Sequence, residues 1–143
     1  MKKLLSLVLV GITTVTLACN HSEQKEVANL KQEENITQIN KNVNIDEFSK
    51  LIASEKGQIL DVRTPEEWAE GTITGATKMN FFDADFNTQL SQLDKDKPVY
   101  VYCKSGGRSG KTATELEKMG FTKIYNLIGG ITAWKGAKRE LVK

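Results

Sequence analysis

The sequence predicts an α/β domain, a parallel sheet with helices on both faces, and two observations carry that prediction. Short apolar runs rich in β-branched and aromatic residues alternate with helix-forming stretches through residues 44–143, the order of strand–helix–strand units. The strongest run, Pro98-Val-Tyr-Val-Tyr102, has a β-branched or aromatic side chain at every position after Pro98, as a strand in a sheet covered on both sides requires. A chain of 143 residues, 39% hydrophobic and 27% charged, is enough for one such domain and excludes wholesale disorder.

Taken in order, Asp46 is placed to cap a helix on which Phe48, Leu51 and Ile52 share one face. Gln58 to Val62 reads as a buried strand after the break at Gly57. Thr64-Pro65-Glu66-Glu67 is a helix start, with Thr64 as N-cap, Pro65 in the first turn and Glu67 at the capping-box position. Gly71 ends that helix. Ala76 to Asn80 is a short strand and Asp85 to Leu93 a helix. After the 98–102 strand, a glycine-containing loop leads into a helix from Gly107 to Met119, with Gly120 as its stop. Lys123 to Leu127 is the last strand, Gly129-Gly130 a turn, and Ile131 to Ala137 the last helix.

The N-terminus has a different texture. Lys2 and Lys3 precede a nearly apolar run from Leu4 to Ala18, the layout of a secretory signal. That run is shorter than the roughly 20 residues a membrane-spanning helix needs. Residues 1–18 are therefore expected to be a signal peptide. Thr16-Leu17-Ala18-Cys19 resembles the lipobox of bacterial lipoproteins, although Thr16 and Leu17 differ from its usual Leu and small residue. The resemblance implies lipidation of Cys19 and a protein held at the periplasmic face of a membrane; the alternative is a plain signal peptide with an incidental cysteine and a soluble periplasmic protein. Residues 19–43, polar and free of Gly, Pro and aromatics after Cys19, are expected to be a flexible tether. His21, the only histidine, lies there as an ordinary polar residue. The 20 basic residues include Lys2 and Lys3, and removing those two leaves 18 against 18 acidic ones. Such a balance gives no bulk attraction to nucleic acid.

With Cys19 lipidated, Cys103 is the one free thiol, either inert and buried or chemically active. Its surroundings favour activity. Val99-Tyr-Val-Tyr-Cys103-Lys-Ser-Gly-Gly-Arg108-Ser109 places a cysteine where a buried strand ends and a helix begins, the edge at which ligands bind in such sheets. Gly106 and Gly107 permit a tight cradle in which backbone N–H groups from Lys104 to Ser109 converge. The following helix points its positive end at the same place, and Lys104 and Arg108 add charge. All of this stabilises a thiolate and attracts an anion.

At these residues the chain resembles the rhodanese family, whose active loop reads Cys, four residues, Arg, Ser or Thr. Asp61-Val-Arg-Thr-Pro-Glu-Glu-Trp68, Gly71-Thr-Ile-Thr-Gly-Ala76 and Leu127-Ile-Gly-Gly-Ile-Thr-Ala-Trp134 are similar to three further segments of that family. Two departures occur, Thr72 for a usual His and Thr74 for a usual Pro, and they imply altered loop rigidity. The resemblance implies a sulfurtransferase with Cys103 as nucleophile and Lys104, Ser105, Gly106, Gly107, Arg108 and Ser109 as its anion-binding loop. A small anionic donor such as thiosulfate, a thiol or cyanide acceptor and no cofactor follow. The alternatives are a sulfur-carrying or sensing module without turnover, and a cysteine phosphatase, whose loops place five residues between Cys and Arg.

Asp61 and Arg63 are expected to pair behind the loop in a structural role, with substrate contact by Arg63 the alternative. Trp68 and Trp134 suit a core better than a site, and Phe81, Phe82 and Phe86 suit either a core or the lip of a pocket. No cluster of His, Cys or carboxylates has metal-ligand spacing.

Overall fold

A computed structural model describes residues 37–143. The signal peptide, Cys19, His21 and the tether as far as Ile36 lie outside the described residues. Strands β1 (Ile39–Val43), β2 (Gln58–Asp61), β3 (Ala76–Lys78), β4 (Val99–Tyr102) and β5 (Lys123–Leu127) alternate with helices α1 (Ile45–Ser54), α2 (Pro65–Trp68), α3 (Phe86–Ser91), α4 (Gly107–Lys118) and α5 (Gly130–Gly136). The strands form one sheet in the order β1-β5-β4-β2-β3, and every pairing is parallel.

β4 lies at the centre and buries all four of its residues. Successive side chains of a strand face opposite ways, so Val99 and Val101 meet one layer and Tyr100 and Tyr102 the other. The first layer contains Leu60, Ile124, Phe86 and Leu90 of α3, and Ala113 and Leu116 of α4. The second contains Val43, Tyr125, Leu127, Phe48 of α1, and Ile131 and Trp134 of α5. The Phe48 ring meets Tyr100 and Trp134 edge-on, with centroids 6.0 and 6.2 Å away. Trp134 thus belongs to the core, and both faces of the sheet carry helices as the sequence predicts.

Two expectations are corrected. The tether does not extend to residue 43, because Ile39–Val43 pairs along its whole length with Lys123–Leu127. Only Val43 is fully buried and Ile39 half-buried, while Asn40, Lys41 and Asn42 are exposed. A polar edge strand is held mainly by main-chain bonds, so its composition resembles that of a solvated segment. The first helix is capped by Asn44, not Asp46: the Asn44 side chain accepts the Glu47 N–H at 2.9 Å. Asp46 instead lies in the first turn, where its charge suits the helix dipole.

Because all five strands run the same way, their C-terminal ends share one edge of the sheet. Cys103, the segment after Asp61 and the Ile128–Gly129 turn meet there.

Candidate active site

Cys103 follows the last residue of β4, and its side chain is 1% exposed. Its Sγ accepts the Gly106 N–H at 3.1 Å and the Ser109 hydroxyl at 3.5 Å. Gly106 adopts φ +101° as the residue before α4, a conformation that L side chains rarely take. This turn brings the chain back over the sulfur. Burial pushes the thiol pKa up, but the Ser109 hydroxyl and the Ser109, Ser105 and Gly106 N–H groups outweigh it. The thiol consequently ionises below its ordinary value.

The loop rests on the turn between β5 and α5. The Ile131 N–H donates to the Cys103 carbonyl at 2.9 Å. Gly129 and Gly130 have φ +73° and +53°, and a Cβ on Gly130 would lie 2.3 Å from the Cys103 carbonyl oxygen. Only glycine fits there. The sequence marks this pair as a turn, and the close approach to the cysteine is legible only in three dimensions.

Arg108 does not stand as a free cation. Its Nη1 and Nη2 donate to the two Glu67 carboxylate oxygens at 2.7 and 2.8 Å, and each side chain is 20% exposed. Glu67 also accepts the Thr64 N–H at 3.0 Å in its capping box. The Arg108 guanidinium holds the Glu67 carboxyl at about 2, against burial that acts the other way. The ordinary value is 4.5, so the pair remains ionised over the whole neutral range. Sequence reasoning gave Glu67 to the cap alone. Its second partner lies 41 positions away, beyond any local pattern. Lys104 is exposed and, among the described residues, forms no ion pair. Lys104 is therefore the loop cation without an ion-pair partner among the described residues.

The three phenylalanines divide. Phe86 is core, and Phe81 is half-buried against it. Phe81 and Phe86 also line a groove beside Lys111 and Thr114 of α4. Phe82 is 68% exposed, with the Arg108 guanidinium 5.8 Å from its ring centroid. Core and lip are thus both present within six residues.

The sequence model of the Rhodanese-like domain matches residues 44–137. The chain belongs to the rhodanese family. A protein named sulfurtransferase from Allochromatium vinosum is 35% identical over 85 residues, 59% of this chain and 78% of that protein. A protein named thiosulfate sulfurtransferase from Pseudomonas entomophila is 35% identical over 90 residues, 62% of this chain and 80% of that protein. An uncharacterised protein of Bacillus subtilis is 42% identical over 81 residues, 57% of this chain and 63% of that protein. The crystal structure of a rhodanese-like domain protein from Staphylococcus aureus superposes with a TM-score of 0.61 at 32% identity, covering 72% of this chain and 99% of that one.

Within this rhodanese domain, Asp61 and Arg63 form the expected ion pair at the end of β2. Arg63 is 1% exposed and Asp61 0%. The Arg63 Nη2 donates to Asp61 at 2.6 Å and to the Gly71 carbonyl at 2.7 Å, and Nη1 donates to the Glu67 carbonyl at 2.8 Å. Nε donates to both Asp61 oxygens. All of these bonds are made within the protein, at the end of β2. Tyr102 was outside every sequence expectation for the site. Its hydroxyl donates to Asp61 at 2.7 Å and accepts the Ile73 N–H at 3.0 Å, and burial first, then Asp61, pushes its pKa up. Thr72 exchanges main-chain bonds of 2.7 and 2.9 Å with Val142, so the C-terminal segment braces the loop that carries the two family departures. Trp68 is half-buried, and its Nε1 has no partner among the described residues. Among the described residues no group of His, Cys and carboxylates could hold a metal.

Proposed function

We propose that this rhodanese is a sulfurtransferase that carries sulfane sulfur on Cys103. One observation carries the assignment: a buried sulfur that receives a main-chain N–H at 3.1 Å and a hydroxyl at 3.5 Å at the start of a helix. Such a cradle stabilises negative charge on sulfur, whether on the resting thiolate or on the outer atom of a persulfide.

The mechanism is a covalent relay in two halves. The Cys103 thiolate attacks the outer sulfur of a donor such as thiosulfate. A new S–S bond forms, the donor's S–S bond breaks, and sulfite leaves with the bonding pair. Gly106 N–H and Ser109 Oγ then face the persulfide. A thiophilic acceptor, cyanide or a thiolate, attacks its terminal sulfur and forms thiocyanate or a new persulfide. The bonding pair returns to Cys103 as thiolate. Lys104 draws in the anionic donor, and Arg108, compensated by Glu67, shapes the loop more than it attracts charge. The four residues between Cys103 and Arg108 make a cradle suited to sulfur rather than to a phosphoryl group, and the sulfurtransferase names of relatives at 35% identity support the same chemistry.

We further propose that the protein is exported and held at a periplasmic membrane face by lipid on Cys19. Intact-mass measurement with and without thiosulfate tests both proposals. A gain of one sulfur atom, absent from Cys103→Ser, supports the relay, and acyl mass on the mature N-terminus supports the anchor. Wild-type turnover in Cys103→Ser would rule out the relay, whereas sulfur uptake without release to any acceptor would indicate a carrier module.

A further inference from the structure

The α5 turn does more than abut the loop: it fixes which way the loop's peptide planes face. The Thr132 N–H and the Thr132 hydroxyl both donate to the Lys104 carbonyl, at 3.1 and 2.9 Å. In a trans peptide the C=O of one residue and the N–H of the next point in opposite directions. The Lys104 carbonyl and the Ser105 N–H are the two ends of one such plane. Holding the carbonyl on α5 therefore turns the Ser105 N–H away from α5, in the loop whose next N–H, that of Gly106, donates to the Cys103 sulfur at 3.1 Å. The neighbouring plane is held likewise, through the Cys103 carbonyl and Ile131.

We propose that Thr132 is a positioning residue: its hydroxyl clamps the Lys104–Ser105 peptide so that the cradle around Cys103 presents N–H groups inward and carbonyls outward. A flipped peptide would aim a carbonyl oxygen at the anionic sulfur and reverse its effect. Gly130 is the companion requirement, since a Cβ there would meet the Lys104 carbonyl carbon and oxygen at 2.7 and 2.8 Å. The hydroxyl of Thr132 is otherwise exposed on a helix surface, which separates this role from a packing role.

The proposal rests on the sulfur-carrying role of Cys103, and its test distinguishes the two. The rate of Cys103 alkylation by iodoacetamide is followed against pH for wild type, Thr132→Val and Thr132→Ser, alongside persulfide formation from thiosulfate and thermal melting. Loss of one hydrogen bond of ordinary net strength corresponds to alkylation about threefold to tenfold slower at neutral pH in Thr132→Val, with the midpoint moved upward. Thr132→Ser restores the hydroxyl and the midpoint. Arg108 and Glu67, the charged pair beside the sulfur, are untouched by either change. If Thr132→Val melts early, Thr132→Ala removes the same donor without new bulk and reads the same midpoint. An unchanged midpoint with intact persulfide formation overturns the clamp and leaves the relay standing. Absence of persulfide in the wild type overturns the relay, and the alkylation midpoint still decides the clamp.

Discussion

Two arginine–carboxylate pairs leave the same stretch of chain, and the site depends on how differently they are used. Asp61 and Arg63 are 0% and 1% exposed and pair at the end of β2, with Tyr102 and the carbonyls of Glu67 and Gly71 completing their bonds. Glu67 and Arg108, 20% exposed on each side, pair at the mouth of the loop. In the first, each nitrogen of the guanidinium donates to a group of the protein, and the charges organise architecture. In the second, water screens the charges, and the guanidinium lies beside the nucleophile and an exposed Phe82 ring. Burial, not residue type, separates the brace from the mouth.

The largest test of that contrast is Asp61→Ala. It leaves Arg63 charged and buried without its partner and should cost about 3–5 kcal/mol, read as a lowered urea midpoint. If the loss is under 1 kcal/mol, burial does not distinguish the pairs. Tyr102→Phe comes next. Removing a buried hydroxyl with two partners should cost about 1–3 kcal/mol, with the Cys103 alkylation profile unmoved if Tyr102 belongs to the brace alone.

The mouth pair predicts an acid dependence. Glu67 is depressed from 4.5 to about 2 in the folded chain, so the unfolded state binds its proton first as pH falls. Its contribution is fully present above about 4.5 and is lost on descent toward about 2. Glu67→Gln should lower the urea midpoint at neutral pH, where the contribution is fully present, and flatten the curve across that window. A curve as steep as wild type would place the acid sensitivity elsewhere. The smallest stability effect is expected for Arg108→Ala, within about 1 kcal/mol for a partly exposed pair. Its kinetic effect is a modest rise in KM for thiosulfate, smaller than that for Lys104→Ala, because Glu67 compensates the arginine. If the order of the two is reversed, the mouth guanidinium attracts the donor despite its partner.

Much of this was legible in sequence. β4 and β5 announce themselves through β-branched and aromatic side chains, and the Thr64–Glu67 start carries its capping chemistry on consecutive residues. Cys103 and its loop were legible because a strand, a nucleophile, glycines and a helix follow one another within one stretch. Contacts between distant segments were not. The β1–β5 pairing consists of main-chain bonds on a polar strand, and Tyr102 reads as a strand residue until its hydroxyl finds Asp61 41 positions away. The clash that forbids a Cβ on Gly130 is with Cys103 and Lys104, which no turn pattern reveals. Local chemistry is written in neighbours, whereas braces depend on which neighbours the sheet creates.

The strand order has a consequence for how the protein comes into being. β5 is the last strand to leave the ribosome, yet it sits between β1 and β4. Until residues 123–127 exist, the opening strand has no ladder to join, because its register partners are Lys123 to Leu127. Closing so wide a loop slows assembly relative to local pairing. Pairing of β1 therefore waits until nearly the whole domain has been synthesised.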